Sequence, residues 1–183
     1  MSRFATLPIM TKPEIATDAE PELALAYNGP GRDSFWMRQA LLLADKAERE
    51  DDEIPVGALI VDPQGRLIGQ GGNRSIREHD ASAHAEIVAI RQAGQALRNY
   101  RLNGCTMYVT LEPCAMCAAA IIHARLERLV YAASNPKAGA CGSVFDVLRD
   151  PRHNHRVHFD GGVLVEEASQ RLSAYFQRKR ESR

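Results

Sequence analysis

The chain has 183 residues, 45% apolar and 25% charged, the size and balance of one globular domain with a substantial core. No run approaches the roughly 18 consecutive apolar residues of a membrane span, and the acidic start has no signal-like apolar stretch, so a cytoplasmic protein is expected. The net charge is zero, yet residues 1–100 hold 11 basic and 15 acidic residues while residues 101–183 hold 12 and 8, so a polyanionic partner is not excluded but must meet a local basic surface.

Residues 1–33 carry Pro8, Pro13, Pro21 and Pro30 without a sustained period. They read as an irregular N-terminal extension, with "PELALAY" a short helical turn at most. The folded domain is expected over 34–183. Asp33 or Ser34 suits the cap of a first helix, in which Trp36, Ala40, Leu43, Ala44 and Ala47 recur at helical spacing. The acidic run "EREDDE" ends it and reads as a solvated face. "VGALIVD" and "RLIGQGGN" flank the turn signal "PQG" and predict a hairpin. A second helix is expected from about Ser82, burying Ile87, Ile90, Ala93 and Leu97. "CTMYVTL" predicts a strand. Pro113 suits the first turn of a third helix through "CAMCAAAIIHARL", where its missing N–H costs nothing. "RLVYAA" predicts a strand, "GSVFDVL" a short helix, "HRVHFDGGVL" a weaker strand, and "EEASQRLSAYFQRKR" a closing helix.

This order argues for an α/β fold, a three-layer α/β/α sandwich. If strand two, helix two and strand three form a right-handed parallel crossover, helices two and three begin at one edge of the sheet. Their positive dipole ends then face one cleft.

The residues at those two helix starts carry the chemistry. Of the four cysteines, Cys105, Cys114, Cys117 and Cys141, two are three apart, which favours metal or redox chemistry over disulfides in a protein without an export signal. Cys114 and Cys117 share a helix face, and a helix N-terminus favours thiolates. With His84 they make three ligands for a tetrahedral zinc whose fourth position stays open to water. Glu86, two residues from His84, is a poor fourth ligand but can lean over the helix end as a proton shuttle, a task suited to a carboxyl with a raised pKa. Taken singly these residues are unremarkable: a lone CxxC can be a redox pair, half a structural zinc site or chance, and His84 and Glu86 can be ordinary packing and helix-start residues. Together, "HAE" followed by "PCAMC" matches the H-x-E…P-C-x-x-C signature of zinc-dependent base deaminases.

The longer blocks are more specific. "FWMRQALLLA", "IPVGALIV", "GGNRSIREHDASAHAEI", "NYRLNGCTMYVTLEPCAMCAAAIIHAR", "NPKAGACGSVFDVL" and "NHRV" resemble, in order, the bacterial tRNA-specific adenosine deaminases. The resemblance runs from about Phe35 to Lys179, and residues 1–33 have no counterpart in it. It implies a cytidine deaminase-like fold with a mixed five-stranded sheet, one Zn2+ per subunit, a homodimer, and hydrolytic conversion of the wobble adenosine of an arginine tRNA anticodon to inosine. By motif position it makes His84, Cys114 and Cys117 the zinc ligands, Glu86 the catalytic proton carrier and Asn73 a ligand of the purine, with the backbone at Ala85 holding the base. Asn73 can otherwise be read as a residue ending a strand in a Gly-rich turn. At Asn135, in the loop expected to meet RNA sugar, many family members have an aspartate; the amide can still bond a 2′-hydroxyl, and RNA preference is expected to survive.

Lys137, Arg152, His155 and Arg156 can line a phosphate path or can be exposed charges. Phe176 beside Arg178, Lys179 and Arg180 can grip unstacked RNA, or the helix can pack Tyr175 or Phe176 and trail a solvated tail. His79 reads as a loop residue, His123 as structural, and Cys105 and Cys141 as buried small hydrophobes. Two other functions stay open on the residues alone: a free nucleobase or nucleotide deaminase of the same fold, against which the basic C-terminal helix and "NHRV" argue, and a non-catalytic zinc-stabilised RNA-binding subunit, which has no need of Glu86.

Overall fold

The computed structural model describes residues 31–182; the "PELALAY" turn lies outside them. Helix α1 (Arg32–Asp51) leads into strands β1 (Gly57–Val61) and β2 (Leu67–Gly72), then α2 (Ala85–Leu97), β3 (Thr106–Leu111), α3 (Ala115–His123), β4 (Arg128–Ala133), β5 (His158–Gly161) and α4 (Val165–Glu181). The sheet order is β2-β1-β3-β4-β5. β1 runs antiparallel to both β2 and β3, and β3, β4 and β5 are mutually parallel. The sheet is therefore mixed and five-stranded, as the family resemblance implies.

The β1–β2 hairpin forms at the expected turn, where Asp62 Oδ1 accepts from the N–H groups of Gln64 and Arg66, each at 2.9 Å. β2 and β3 run in the same direction with β1 between them. Helices α2 and α3, which follow those two strands, consequently start at one sheet edge, and this topology creates the site.

Alternate strand residues face opposite ways, so the sheet feeds two cores. On one face Ala58, Ile60, Met107, Val109 and Leu129 pack with Ala85, Ala89 and Ala93 of α2 and Ala118, Ile121 and Ile122 of α3. On the other, Leu59, Val61, Tyr108, Val130 and Ala132 pack with Trp36, Met37, Ala40 and Leu41 of α1 and Ala168 of α4. These are the three layers.

The first helix is not capped by Asp33 or Ser34: α1 starts at Arg32 with Gly31 as its N-cap, and the Asp33 carboxylate goes to Arg128 and Tyr108 instead. Four further local expectations are corrected. First, α2 starts at Ala85, with His84 as its N-cap, and buries its small face, Ala85, Val88, Ala89 and Ala93; Ile87 and Ile90 are half-buried and Leu97 is exposed. The reason is close packing on β2, where a Cβ at Gly69 would overlap the Ala89 carbonyl. Second, α3 starts at Ala115 with Cys114 as N-cap, so Pro113 precedes the helix. Third, "GSVFDVL" is not helical but turns and bridges, Cys141 pairing with Asp146. Its backbone donors are drawn elsewhere: Ser143 N–H goes to Glu112 Oε1, and the Val144 and Phe145 N–H groups go to the Gly139 carbonyl. Fourth, the acidic run is not wholly solvated. Glu53 is buried, and its Oε1 accepts from the N–H groups of Ile76 at 2.7 Å and Arg77 at 2.9 Å, tying down the loop before α2. No helix among the described residues is long and apolar enough to cross a membrane.

Candidate metal centre and active site

The N-cap of α2 is His84 and the N-cap of α3 is Cys114, so the shared sheet edge brings an imidazole and a sulfur face to face. His84 Nδ1 lies 3.7 Å from Cys114 Sγ and 3.5 Å from Cys117 Sγ. The three ligand atoms lie within 4.8 Å of one another. Ligands at ordinary Zn–S and Zn–N lengths, tetrahedrally disposed, stand about 3.6 Å apart, so the spacing fits zinc. Two thiolates and a neutral imidazole also match the ion in charge and softness.

The three groups share their protons: one sulfur is ready as a thiolate, while the other sulfur and the imidazole hold protons that a metal has to displace. A hydrogen bond from Cys117 pulls the Cys114 thiol down to about 3, with His84 assisting. The bond to the Cys114 sulfur, followed by burial, pushes the Cys117 thiol up. The same Cys114 sulfur raises the His84 imidazole. A divalent cation replaces these protons and makes both sulfurs thiolates.

Glu86, in the first turn of α2, is only 3% exposed. Burial pushes its carboxyl above the usual carboxylate range. Glu86, His84 and Cys114 open on one cavity of about 470 Å³, within the range of small-molecule sites. Asn73, Leu111, Glu112, Asn135, Lys137 and Phe176 also border it.

Asn73 is buried just past the end of β2, and its Oδ1 accepts from Ala85 N–H at 2.9 Å. The amide oxygen is thus committed to the start of α2, and among the described residues the Nδ2 hydrogens have no partner. Ala85 is itself buried, with its N–H engaged by Asn73. Asn135 folds its own loop, Oδ1 accepting from Lys137 N–H at 3.2 Å and Ala138 N–H at 3.1 Å. Lys137 Nζ stands 5.7 Å from the centre of the Phe176 ring, and both side chains are exposed at the cavity mouth. Ser169, Leu172, Ser173 and Phe176 of α4 recur at helical spacing along one wall.

Arg152 stands apart from this group. It is exposed, does not border the cavity and pairs with Asp150 at 2.5 Å. His155 donates through Nε2 to the Leu126 carbonyl at 2.7 Å, and Arg156 donates to the carbonyls of Asp150 and Pro151; both are engaged in holding the chain. On α4, Tyr175 is buried and donates to the Asp52 carbonyl at 3.0 Å, while Arg178 pairs with Glu48 and Lys179 with Asp52. Those cations fasten α4 to α1. His79 and His123 are exposed, and Cys105 and Cys141 are buried.

One residue at the site has no reading from the sequence. Glu112 begins the segment that leads from β3 into the metal-binding helix, is 1% exposed, and borders the cavity. Burial disfavours its charge, but the Ser143 hydroxyl and three backbone N–H groups outweigh this and hold its carboxyl below the usual range. A charged residue wedged between a strand and Pro-Cys was the available signal.

Known proteins agree with this geometry. Residues 30–133 match the cytidine and deoxycytidylate deaminase zinc-binding region. The chain is 52% identical over 151 residues to the tRNA-specific adenosine deaminase of Haemophilus influenzae, covering 82% of this chain and 87% of that one. It is 41% identical over 152 residues to the tRNA-specific adenosine deaminase of Bacillus subtilis, covering 83% and 93%. A solved structure from studies of A-to-I editing by tRNA:A34 deaminases superimposes with a TM-score of 0.72 at 44% identity, over 76% of this chain and 99% of that one. With a His/Cys/Cys zinc centre, a cytidine deaminase-like sheet and relatives of this closeness, the chain belongs to the tRNA-specific adenosine deaminase family of zinc-dependent deaminases.

Proposed function

We propose that this protein hydrolyses the 6-amino group of the wobble adenosine in a tRNA anticodon, that of an arginine tRNA, leaving inosine and ammonia. The observation that carries this reading is the buried Glu86 carboxyl opening on the same cavity as the metal ligands His84 and Cys114. Zinc, when bound by His84, Cys114 and Cys117, supplies the Lewis acidity that lets water attack near neutral pH. Glu86 takes a proton from the attacking water and gives it to the purine N1, which makes C6 more electrophilic; it then carries a second proton to the departing amino nitrogen. The C6–N bond breaks as the C6–O bond becomes a carbonyl.

Asn73 orients the base. With its oxygen held by Ala85, it offers N–H groups, the right partner for a purine ring acceptor such as N7. The adenosine is already unpaired in an anticodon loop, so splaying it into the cavity costs little. At the mouth, the Phe176 ring offers a stacking surface and Lys137 a cation for the backbone. Arg152, tied to Asp150, serves any RNA contact only from outside the cavity.

The same reading takes residues 34–183 as the deaminase domain behind a 1–33 extension, whose last residues, Arg32 and Asp33, already belong to α1, and the protein as a cytoplasmic homodimer. Met116 on α3 and Val144 and Phe145 in the β4–β5 connection are exposed apolar side chains available to such an interface.

The test is direct. Zinc-loaded protein is incubated with an arginine tRNA transcript carrying adenosine at the wobble position, and inosine is read as an A-to-G change on reverse transcription. Free adenine, guanine and cytidine are assayed in parallel for ammonia release. Conversion confined to the wobble position is expected; turnover of a free base without tRNA editing overturns the reading.

A further inference from the structure

The connection between β4 and β5 supplies one wall of the cavity, through Asn135, Lys137 and Ala138, yet it contains no helix or strand between residues 134 and 157. Something must hold it. Glu112 Oε1 accepts from the N–H groups of Cys141 at 2.9 Å and Ser143 at 3.2 Å, and Glu112 Oε2 accepts from Asn135 N–H at 3.0 Å and from the Ser143 hydroxyl. One buried carboxylate thus gathers four donors from three points along nine residues. The main chain adds a clip beside it, Ala140 N–H donating to the Pro113 carbonyl at 2.8 Å.

The approach is as close as the backbone allows. A Cβ at Gly139 would sit 2.5 Å from the Glu112 carboxyl carbon and 2.7 Å from the Asn135 carbonyl oxygen, contacts no real side chain tolerates. Glu112 lies two residues before Cys114 in the chain, so the carboxylate links the wall to the segment that carries the metal ligand.

We infer that Glu112 is a positioning residue that fixes the Asn135–Lys137 wall relative to the metal centre and so sets how the substrate nucleoside is received, without touching the reacting atoms. The inference rests on the deaminase reading above. Four donors converge on the two carboxylate oxygens, so an amide in place of the carboxylate turns one acceptor into a donor that faces other donors, with only the Ser143 hydroxyl able to turn and accept from it. The wall loosens on that side, while the pairing of Gly139 with Cys114 and the Ala140 bond to Pro113 keep the rest of the loop seated against the metal ligands.

The experiment compares wild type, Glu112→Gln, Ser143→Ala and Gly139→Ala as full-length zinc-loaded proteins. Three quantities are read: zinc per chain, kcat and KM on the anticodon stem-loop, and hydrogen–deuterium exchange of the 134–143 amides. Wild-type turnover is the control that separates failure of the deaminase reading from failure of this one, and exchange does not depend on substrate at all. Expected for Glu112→Gln and Gly139→Ala are full zinc, faster exchange in 134–143 with 114–123 unchanged, and KM raised about tenfold with kcat within about threefold. Ser143→Ala, which removes only the hydroxyl donor, shifts KM the same way by less. Zinc loss or a kcat drop at unchanged KM places Glu112 in the metal centre and overturns the inference, as does unaltered 134–143 exchange. If Glu112→Gln fails to fold, the Gly139→Ala and Ser143→Ala pair decides by the same readings.

Discussion

Asn73 and Ala85 are joined by a 2.9 Å hydrogen bond in which the side-chain oxygen accepts and the first residue of α2 donates. On the proposed reading two jobs fall on one amide: its oxygen fixes the helix that carries Glu86, and its nitrogen is offered to the base in the cavity that Asn73 borders. Substitutions separate them. Asn73→Asp keeps an acceptor for Ala85 and loses the donor; unfolding stability is expected to stay within about 1 kcal/mol of wild type while kcat/KM falls about tenfold to a hundredfold, the worth of a good base contact. Asn73→Ala loses both, adding a stability cost of about 1–2 kcal/mol. Urea unfolding beside kinetics checks this; equal activity for Asp and Asn at position 73 removes the base contact from Asn73.

Glu86 is buried next to the ligand cluster, and burial is the largest influence on its carboxyl. Glu86→Ala is expected to keep one zinc per chain and bind tRNA normally, and to lower inosine formation by about 10²–10⁴-fold or more, the range of a lost proton-transfer group. Zinc content by elemental analysis and tRNA binding by filter retention accompany the rate measurement. Substantial residual turnover assigns the proton transfers elsewhere.

Removing the metal tests the other half of the site. Stripping zinc with a strong chelator is expected to abolish deamination and lower the melting temperature, because a ligand bound only by the folded chain stabilises it by mass action. Stoichiometric zinc restores both. Cys117→Ser, with a hard oxygen in place of a thiolate, is expected to weaken zinc retention and lose activity together. Full activity after verified metal removal would falsify the zinc chemistry.

Asp33 gives a pH prediction away from the metal. Its carboxylate takes two bonds from Arg128, at 2.8 and 2.7 Å, and one from the hydroxyl of buried Tyr108 at 2.8 Å. The Arg128 bonds, against an opposing contribution from burial, hold the Asp33 carboxyl below its ordinary value of 3.8. A depressed carboxyl pKa stabilises the folded chain above the unfolded value, and that stability is lost as pH falls through the folded value. Asp33→Asn is expected to cost about 1–2 kcal/mol near pH 7, limited by partial exposure of the pair. The difference from wild type shrinks below about pH 4. Protonation of the zinc site affects both proteins alike, so the difference isolates Asp33. Urea midpoints at pH 7, 5 and 3 measure it; a gap that widens toward acid contradicts the assignment.

The zinc ligands were legible because each lies within a few residues of a helix start, and the helix order alone brings those starts together. The hairpin was legible because Pro-Gln-Gly and flanking apolar alternation are local signals. What escaped depends on partners distant in sequence. The burial of Val88 and Ala89 in place of Ile87 and Ile90 follows from glycines in β2, which reward small residues and override the more apolar stripe. Glu53 and Glu112 look like solvated charges until the Ile76–Arg77 and 135–143 amides that surround them are known. The misread "GSVFDVL" element has the same kind of cause: its Val144 and Phe145 N–H groups close on the Gly139 carbonyl and its Val147 N–H on Ala140, in a loop that Glu112 holds through Ser143.

Asn135 gives the last test, and its geometry narrows the expectation. Its Oδ1 is spent on the Lys137 and Ala138 N–H groups, so what it can offer a ribose is the Nδ2 donor pair. A 2′-hydroxyl oxygen accepts from such a donor, whereas deoxyribose presents nothing there. Matched RNA and DNA stem-loops are therefore expected to differ, RNA turning over about tenfold faster, in keeping with one hydrogen bond of roughly 1–1.5 kcal/mol. Asn135→Asp keeps the loop acceptor and loses the donor. A carboxylate at 135 can bond a 2′-hydroxyl only by accepting from it, with the oxygen that the loop amides already share. The variant is expected to fold normally, to repel phosphate more strongly, and to turn over both nucleic acids more slowly as salt is lowered, where the repulsion is least screened. Initial rates on the two stem-loops across a salt series report both effects at once. Equal rates on RNA and DNA with wild type remove Asn135 from sugar recognition.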